Sequence, residues 1–205
     1  HNILLSGQTD FDGWRSAARR LFTAGVAPAK VVWSLDRMPD LFGDGEPLPD
    51  ASGTFGVPRR FVDLAGQAIL HSDPERFALL YRILWRLHYE PELLAFAMDR
   101  DVARAEDMAK NVRRDIHKMH AFVRFREVGR EHKAHFVAWF EPEHHIVELA
   151  APFFARRFAD MPWSILTPDA CAHWDGHPVS ITPGVAKSEA PTQDRLEETW
   201  RRYYA

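Results

Sequence analysis

Partway along the chain the spacing of apolar residues changes from a helical to a strand period, and this change constrains the fold more than any other feature. Val112, Ile116 and Met119 recur at intervals of three and four residues, which indicates an amphipathic helix over 110–120. After Ala121 apolar and polar residues alternate, then a turn at "VGREHK" and a second alternating run, "AHFVAWFEP", follow. A helix that leads into a β-hairpin is therefore predicted.

The first 35 residues predict a strand–helix–strand unit. Two short apolar runs, "HNILLSG" and "AKVVWSL", flank a segment with helical periodicity that Thr9 or Asp10 can cap. Two strands so close in sequence, joined by one helix, indicate a parallel βαβ unit. Helical patterns dominate the middle of the chain, including one that Asp73 can cap. The C-terminal half is predicted to form a small mixed or antiparallel sheet with hairpins. The predicted fold class is therefore α+β.

We predict a single α+β domain over residues 1–182. Within it, residues 36–58 are rich in Pro, Gly and Asp and are expected to form a long surface loop. Residues 183–205 are predicted to be a linker and a connecting helix, "DRLEETWRRYYA", that the end of the sequence truncates.

Composition excludes several classes of protein. The formal net charge of -3 argues against a protein that coats nucleic acid over its whole surface, although a local basic patch remains compatible with it. The single cysteine, Cys171, excludes an internal disulfide, a thiolate zinc finger and a four-cysteine cluster, and it is expected to be an inert buried thiol. No apolar run reaches the roughly 18 residues of a membrane span. We therefore expect a cytoplasmic protein with no membrane partner, no cofactor in this chain and no metal.

The segment around the change of period is rich in basic residues. Lysine and arginine neutralise phosphates, and arginine also stacks on exposed bases, so this segment is a candidate DNA-binding surface. The alternative is a solvated helix face that pairs with nearby acids such as Glu106, Asp107 and Asp115. The candidate nucleic-acid-binding residues are Lys110, Arg113, Arg114, His117, Lys118, Arg124 and Arg126.

Histidines and aspartates from three separate blocks form a second candidate site, for a metal or for acid–base chemistry: His117, His120, His144, His145, Asp169, His173 and Asp175. His117, His144 and Asp169 are the candidates for acid–base catalysis, because imidazole and carboxylate groups exchange protons near neutral pH. Their spacing matches no metal-ligand signature, and a histidine is more often an ordinary surface or core residue. A functional His/Asp site and ordinary structural histidines both remain possible interpretations of the sequence.

Three tryptophans are candidates for stacking on a base. Trp139 can lie beside the arginines across the predicted hairpin, and Trp163 and Trp174 flank a turn region with two aspartates. The alternative, which the turn-rich sequence favours, is that the aspartates are turn residues and the tryptophans belong to the core.

Several longer blocks carry a resemblance to a known family. They are "TDFDGWRSAAR", "DPERFALLYRILWRL", "MAKNVRRDIHKMHAFVRFRE", "FVAWFEPEHHIVELAAPFFARRFADMPWSILTPDACAHWDG" and "TWRRYYA". The chain resembles a bacterial domain of unknown function, number 4130, which is found fused before uracil-DNA glycosylases of the UdgX type. The same domain is also found as a separate partner of a radical-SAM protein of DNA metabolism.

The resemblance implies a role in DNA repair, specifically base excision repair, and no settled reaction. The iron–sulfur cysteines and base pocket of such a glycosylase would lie beyond residue 205, so uracil excision is not assigned to this chain. The leading hypothesis is an accessory domain that binds damaged or single-stranded DNA beside the glycosylase in cis or the radical-SAM protein in trans. The alternatives are a cryptic enzyme on nucleic acid or a nucleotide, using the His/Asp site, and an interaction module for the glycosylase domain.

Overall fold

A computed structural model describes residues 1–35, 47–50, 53, 55–128 and 134–189. The chain divides into two compact units, His1–Arg113 and Arg114–Ala205. Most of the predicted loop over 36–58, the tip of the predicted hairpin at 129–133 and the predicted connecting helix lie outside the described residues. Within them, the predicted α+β class is confirmed, with a strand–helix–strand start, a helical middle and a C-terminal mixed sheet.

The first unit begins with the predicted βαβ arrangement. Strand β1 (Asn2–Leu4), helix α1 (Phe11–Thr23) and strand β2 (Val32–Ser34) follow one another, and β1 pairs with β2 in parallel. Of the two predicted caps, Asp10 takes the role: its carboxylate accepts a 2.8 Å hydrogen bond from the amide of Gly13.

Three further helices follow: α2 (Arg59–Ala68), α3 (Arg76–Leu87) and α4 (Arg100–Phe122). The helix expected from Asp73 begins at Arg76, and the Asp73 carboxylate accepts the amide of Glu75 just before it. The core of the unit joins α1 to α3, because the indole N–H of Trp14 donates 3.1 Å to the carbonyl of Phe77.

The second unit contains a five-stranded mixed sheet. After the end of α4 come β3 (Arg126–Val128), β4 (His135–Trp139), α5 (Val147–Arg157), β5 (Trp163–Leu166), β6 (Ala170–Trp174) and β7 (Ser180–Pro183). The strands lie in sequence order. The predicted β3–β4 hairpin pairing is confirmed, and β4 and β5 form the sheet's parallel pair, connected through α5. This second βαβ connection was not predicted.

Alternation along β5 separates the two faces of this sheet. Trp163 points toward α5, where its ring contacts those of Phe154 and Phe125. Its neighbour Ser164 points to the opposite face, since successive strand residues alternate. Ser164 and Trp163 are both buried, so each face contributes to the core.

Candidate nucleic-acid interface

The basic residues of α4 lie on its exposed side, as the helical period predicted. In the first unit Lys110 and Arg113 are exposed, and the Arg113 guanidinium donates a hydrogen bond to the side chain of Gln67. In the second unit Arg114 and His117 lie on the same side of the helix, and both are exposed. Because the opposite side of the helix carries buried apolar residues, these four side chains are held toward solvent.

Three further basic residues differ in how they are held. Lys118 forms an ion pair with Glu143 at 2.5 Å. Arg124 donates hydrogen bonds of 2.7 and 3.0 Å to carbonyl groups at the C-terminal end of α4, where cations are favoured by the helix dipole. Arg126 begins β3 and is exposed. Arg124 and Arg126 therefore continue the basic surface past the end of the helix.

Two acidic residues that could have neutralised this segment are engaged elsewhere. Glu106 forms an ion pair with Arg60 at 3.1 Å, and Asp115 is buried. Within the described parts of the chain, Arg114, Arg124 and Arg126 form no ion pair. Lys118 matches the alternative of a paired surface charge: its hydrogen bond lowers the pKa of Glu143, and the charge of Arg114 also contributes to that lowered pKa.

Aromatic rings border the basic residues of the second unit. The ring of His120 stacks on that of Phe153 from α5, with centroids 4.0 Å apart and an interplanar angle of 23°. Phe122, the last residue of α4, is 67% exposed. We did not predict Phe122 as a site residue. The sequence did indicate it, because Phe122 is a large apolar residue four positions after Lys118 on the solvent-facing side of the helix.

The three predicted tryptophans lie in different environments. Trp163 is fully buried, so it belongs to the core, as in the alternative interpretation, and cannot stack on a base in this conformation. Trp139 is half-buried and its indole N–H donates to Glu141 at 2.8 Å. Trp174, which pairs with Trp163 across β5 and β6, is also half-buried.

The three predicted catalytic residues lie on different segments: His117 on α4, His144 between β4 and α5, and Asp169 between β5 and β6. Asp169 follows the end of β5, and its carboxylate lies 3.1 Å from Nδ1 of His145. His144, the predicted histidine, is instead buried, and burial lowers its pKa. His117 lies on the solvent side of α4. The structure therefore brings together two members of the candidate His/Asp cluster, Asp169 and His145, at the carboxyl ends of the parallel strands β4 and β5.

The loop that carries His144 is held by Asp115. The amides of Glu143 and His144 donate to Oδ2 of Asp115 at 2.8 and 3.0 Å. Burial raises the pKa of the Asp115 carboxyl, and the two amide hydrogen bonds act in the opposite direction. Asp115 therefore connects α4 to the segment between β4 and α5 through hydrogen bonds rather than through an ion pair.

Replacing Asp115 by Ala should lower the free energy of unfolding by about 2–3 kcal/mol, because two amides would lose their acceptor in a buried site. Asp115→Asn should cost less than about 1 kcal/mol, since an amide oxygen can accept both bonds and carries no charge to bury. Urea unfolding followed by tryptophan fluorescence measures both variants. Equal decreases for Ala and Asn would show that the charge of Asp115, and not its hydrogen bonds, stabilises the loop.

A buried polar chain crosses the sheet on the face opposite α5. Nε2 of His135 lies 2.9 Å from Oγ of Ser164, which lies 2.8 Å from Nδ1 of His173. Nε2 of His173 in turn lies 2.8 Å from the hydroxyl of Thr182. The four residues come from β4, β5, β6 and β7. We did not predict this chain, because strand register, which spacing within one strand does not reveal, brings them together.

The hydrogen bonds of the polar chain can run in either direction. The Ser164 hydroxyl has one proton, so between two neutral imidazoles it donates to one ring and accepts from the other. Reversing that direction changes the tautomer of both rings. Burial lowers the pKa of both His135 and His173 and so favours their neutral forms. Ser164 is only 2% exposed, so in this conformation it does not meet a molecule from outside.

The remaining predictions concern metals, the thiol and membranes. Among the described residues no group of three or more His, Cys, Asp or Glu side chains is placed to hold a metal ion. Cys171 is buried, and burial raises the pKa of its thiol, as expected for an unreactive cysteine. No helix in the described part of the chain has the length and apolar character needed to cross a membrane.

Comparison with known proteins gives one match. The family model described as a domain of unknown function, DUF4130, matches residues 74–205, which is more than half of the chain. No curated protein and no solved structure matches the chain. The matched range includes α3 to α5 and the five-stranded sheet, whereas the N-terminal βαβ unit lies outside it.

Proposed function

The chain belongs to the DUF4130 family of domains of unknown function, and on that premise we propose that it is an accessory DNA-repair domain. Its second unit binds DNA through a cationic surface made of Arg114, His117, Arg124 and Arg126. Binding is local and electrostatic, since the chain as a whole is slightly acidic.

The proposal rests on three exposed arginines of the second unit. Arg114, Arg124 and Arg126 lie within 13 residues of one another, are exposed and, within the described ranges, form no ion pair with a carboxylate. A surface arginine usually gains little from an acidic neighbour, but several without one create a positive field that attracts phosphates. The helix end adds the carbonyl groups that orient Arg124.

The proposed place of the domain follows from the resemblance of its sequence. It acts in the cytoplasm in base excision repair, beside a UdgX-type uracil-DNA glycosylase in cis or a radical-SAM protein in trans. Excision of uracil belongs to that neighbouring domain, and this chain presents the DNA to it. A module that contacts only the glycosylase domain is the competing function, and the following experiment distinguishes the two.

The variant Arg114→Ala/Arg124→Ala/Arg126→Ala should bind labelled DNA about tenfold more weakly than the wild type at low salt, because each arginine that is removed no longer displaces counterions from a phosphate. The slope of log affinity against log salt concentration should become shallower by roughly 0.7 to 0.9 for each phosphate that is no longer neutralised. Fluorescence polarisation with single- and double-stranded oligonucleotides at two salt concentrations measures both effects.

A charge-matched control separates a specific surface from the change in net charge. The variant Arg15→Ala/Arg59→Ala/Arg100→Ala removes three exposed arginines from the first unit and should bind as the wild type does. Equal weakening by both variants, or no DNA binding by the wild type, would contradict the proposal. In that case tight co-purification with a separately expressed glycosylase domain would support the interaction module instead.

A further inference from the structure

Resting on the proposed DNA contact, we infer that the second unit recognises single-stranded DNA and that Phe122 stacks on an unpaired base. The exposed aromatic ring at the end of α4 is the feature that leads to this inference. It names a strand preference and a base-contacting residue other than the predicted tryptophans, of which Trp163 is fully buried.

The exposure of Phe122 is unusual for its position. The ring is 67% exposed, whereas on the same part of α4 Met119 is buried and Ile116 is half-buried. Exposed apolar residues that occur singly need no explanation. Phe122 differs because its immediate surroundings are cationic, with Arg124 two residues later and Lys118 one helical turn earlier.

Helical geometry places the ring in line with the cations. Arg114, Lys118 and Phe122 are spaced by four residues, so they form one row along the surface of α4 with steps of about 6 Å. Positive charges that follow a backbone, together with an aromatic ring that receives a base, are the two components of single-strand binding sites. A row of two cations and one ring therefore matches a nucleotide strand that lies along the helix.

The ion pair of Lys118 does not prevent this contact. Its partner Glu143 is 65% exposed, so exchange of the carboxylate for a phosphate costs little in water. A second aromatic pair joins α4 to α5, where His120 of α4 stacks on Phe153 of α5. Arg156 is exposed on the same helix and its charge acts on His120, so the cationic character extends to α5.

The strand preference follows from the chemistry of stacking. In a duplex each base already stacks on its neighbours inside the helix, so its face is not available to a surface ring. An unpaired base exposes its face and is stabilised by stacking on Phe122, whichever of the four bases it is. The arginines contribute to binding of both forms, whereas Phe122 contributes only to binding of the single strand.

The test compares Phe122→Ala with the wild type on a labelled oligo-dT strand and on the same strand paired with oligo-dA. Affinity for the single strand should fall about 5- to 100-fold, the range found when a stacking ring is truncated, and affinity for the duplex should change by less than about twofold. Phe122→Trp should retain single-strand binding because a larger ring stacks at least as well. Phe96→Ala, which removes a ring that is 62% exposed in the first unit, is the matched control and should change neither affinity.

The outcomes distinguish this inference from the proposed function. If the arginine variant weakens binding of both DNA forms but Phe122→Ala binds the single strand as the wild type does, the inference is wrong and the DNA contact stands. Equal weakening on both forms for Phe122→Ala would also overturn it. If the wild type binds neither form, the proposed function itself is wrong.

Discussion

The Arg76→Met variant is expected to lose about 3–5 kcal/mol of unfolding free energy, because Arg76 is a buried charge whose hydrogen bonds join three segments of the first unit. It is 1% exposed. Nε donates 2.6 Å to the carbonyl of Ile69, Nη1 donates 3.0 Å to that of Asp73, and Nη2 donates to the backbone and side-chain oxygens of Gln8. Methionine would fill part of the space but leave these oxygens without a donor.

The charge of Arg76 persists at neutral pH. Burial lowers its pKa to about 10, and the ring of Phe77, 4.0 Å from the guanidinium carbon, lies beneath it. Arg76→Lys should also be strongly destabilising, because one ammonium cannot replace donors that point in three directions.

Urea unfolding with circular dichroism measures these changes in stability. Arg59→Met, at a side chain that is 93% exposed, is the matched control and should change stability by less than about 0.5 kcal/mol. A decrease below about 1 kcal/mol for Arg76→Met would mean that water replaces the guanidinium at little cost.

Lowering the pH from about 8 to about 5 should destabilise the second unit, because four of its histidines bind a proton more readily in the unfolded chain than in the folded one. Burial lowers the pKa of four described histidines below the ordinary value of 6.5, and all four belong to this unit. They are His120, His135, His144 and His173. Between the lowered pKa and 6.5 the unfolded chain binds more protons than the folded one. Stability is therefore complete above about pH 6.5 and decreases as the pH falls toward the lowered values.

Each such histidine contributes a slope of up to about 1.4 kcal/mol per pH unit in this range. The raised pKa of the Asp115 carboxyl acts in the opposite direction, because there the folded chain binds protons more readily than the unfolded one. Urea unfolding at several pH values measures the slope. His173→Gln should reduce this slope by up to the contribution of one bound proton, and His135→Gln/His173→Gln should reduce it by more. A double variant with the wild-type slope would show that the polar chain does not titrate on unfolding.

Local periodicity was sufficient to predict much of the fold. The parallel β1–β2 pair followed from two short apolar runs on either side of a capped helix, and the change of period after Ala121 correctly separated α4 from β3. Hydrophobic spacing reports which side of a helix or strand faces the core, and this depends only on nearby residues. The connection of β4 to β5 through α5 was missed because strand direction depends on partners distant in sequence.

The sequence by itself determined which residues of the basic segment face solvent, since 3.6 residues per turn place Arg114 and His117 opposite the buried side chains of α4. Only the tertiary structure decided the contacts between elements. Strand register set Ser164 between His135 and His173, and the ends of β4 and β5 set Asp169 beside His145. Contacts of this kind depend on how separate elements pair, and spacing along one element does not carry that information.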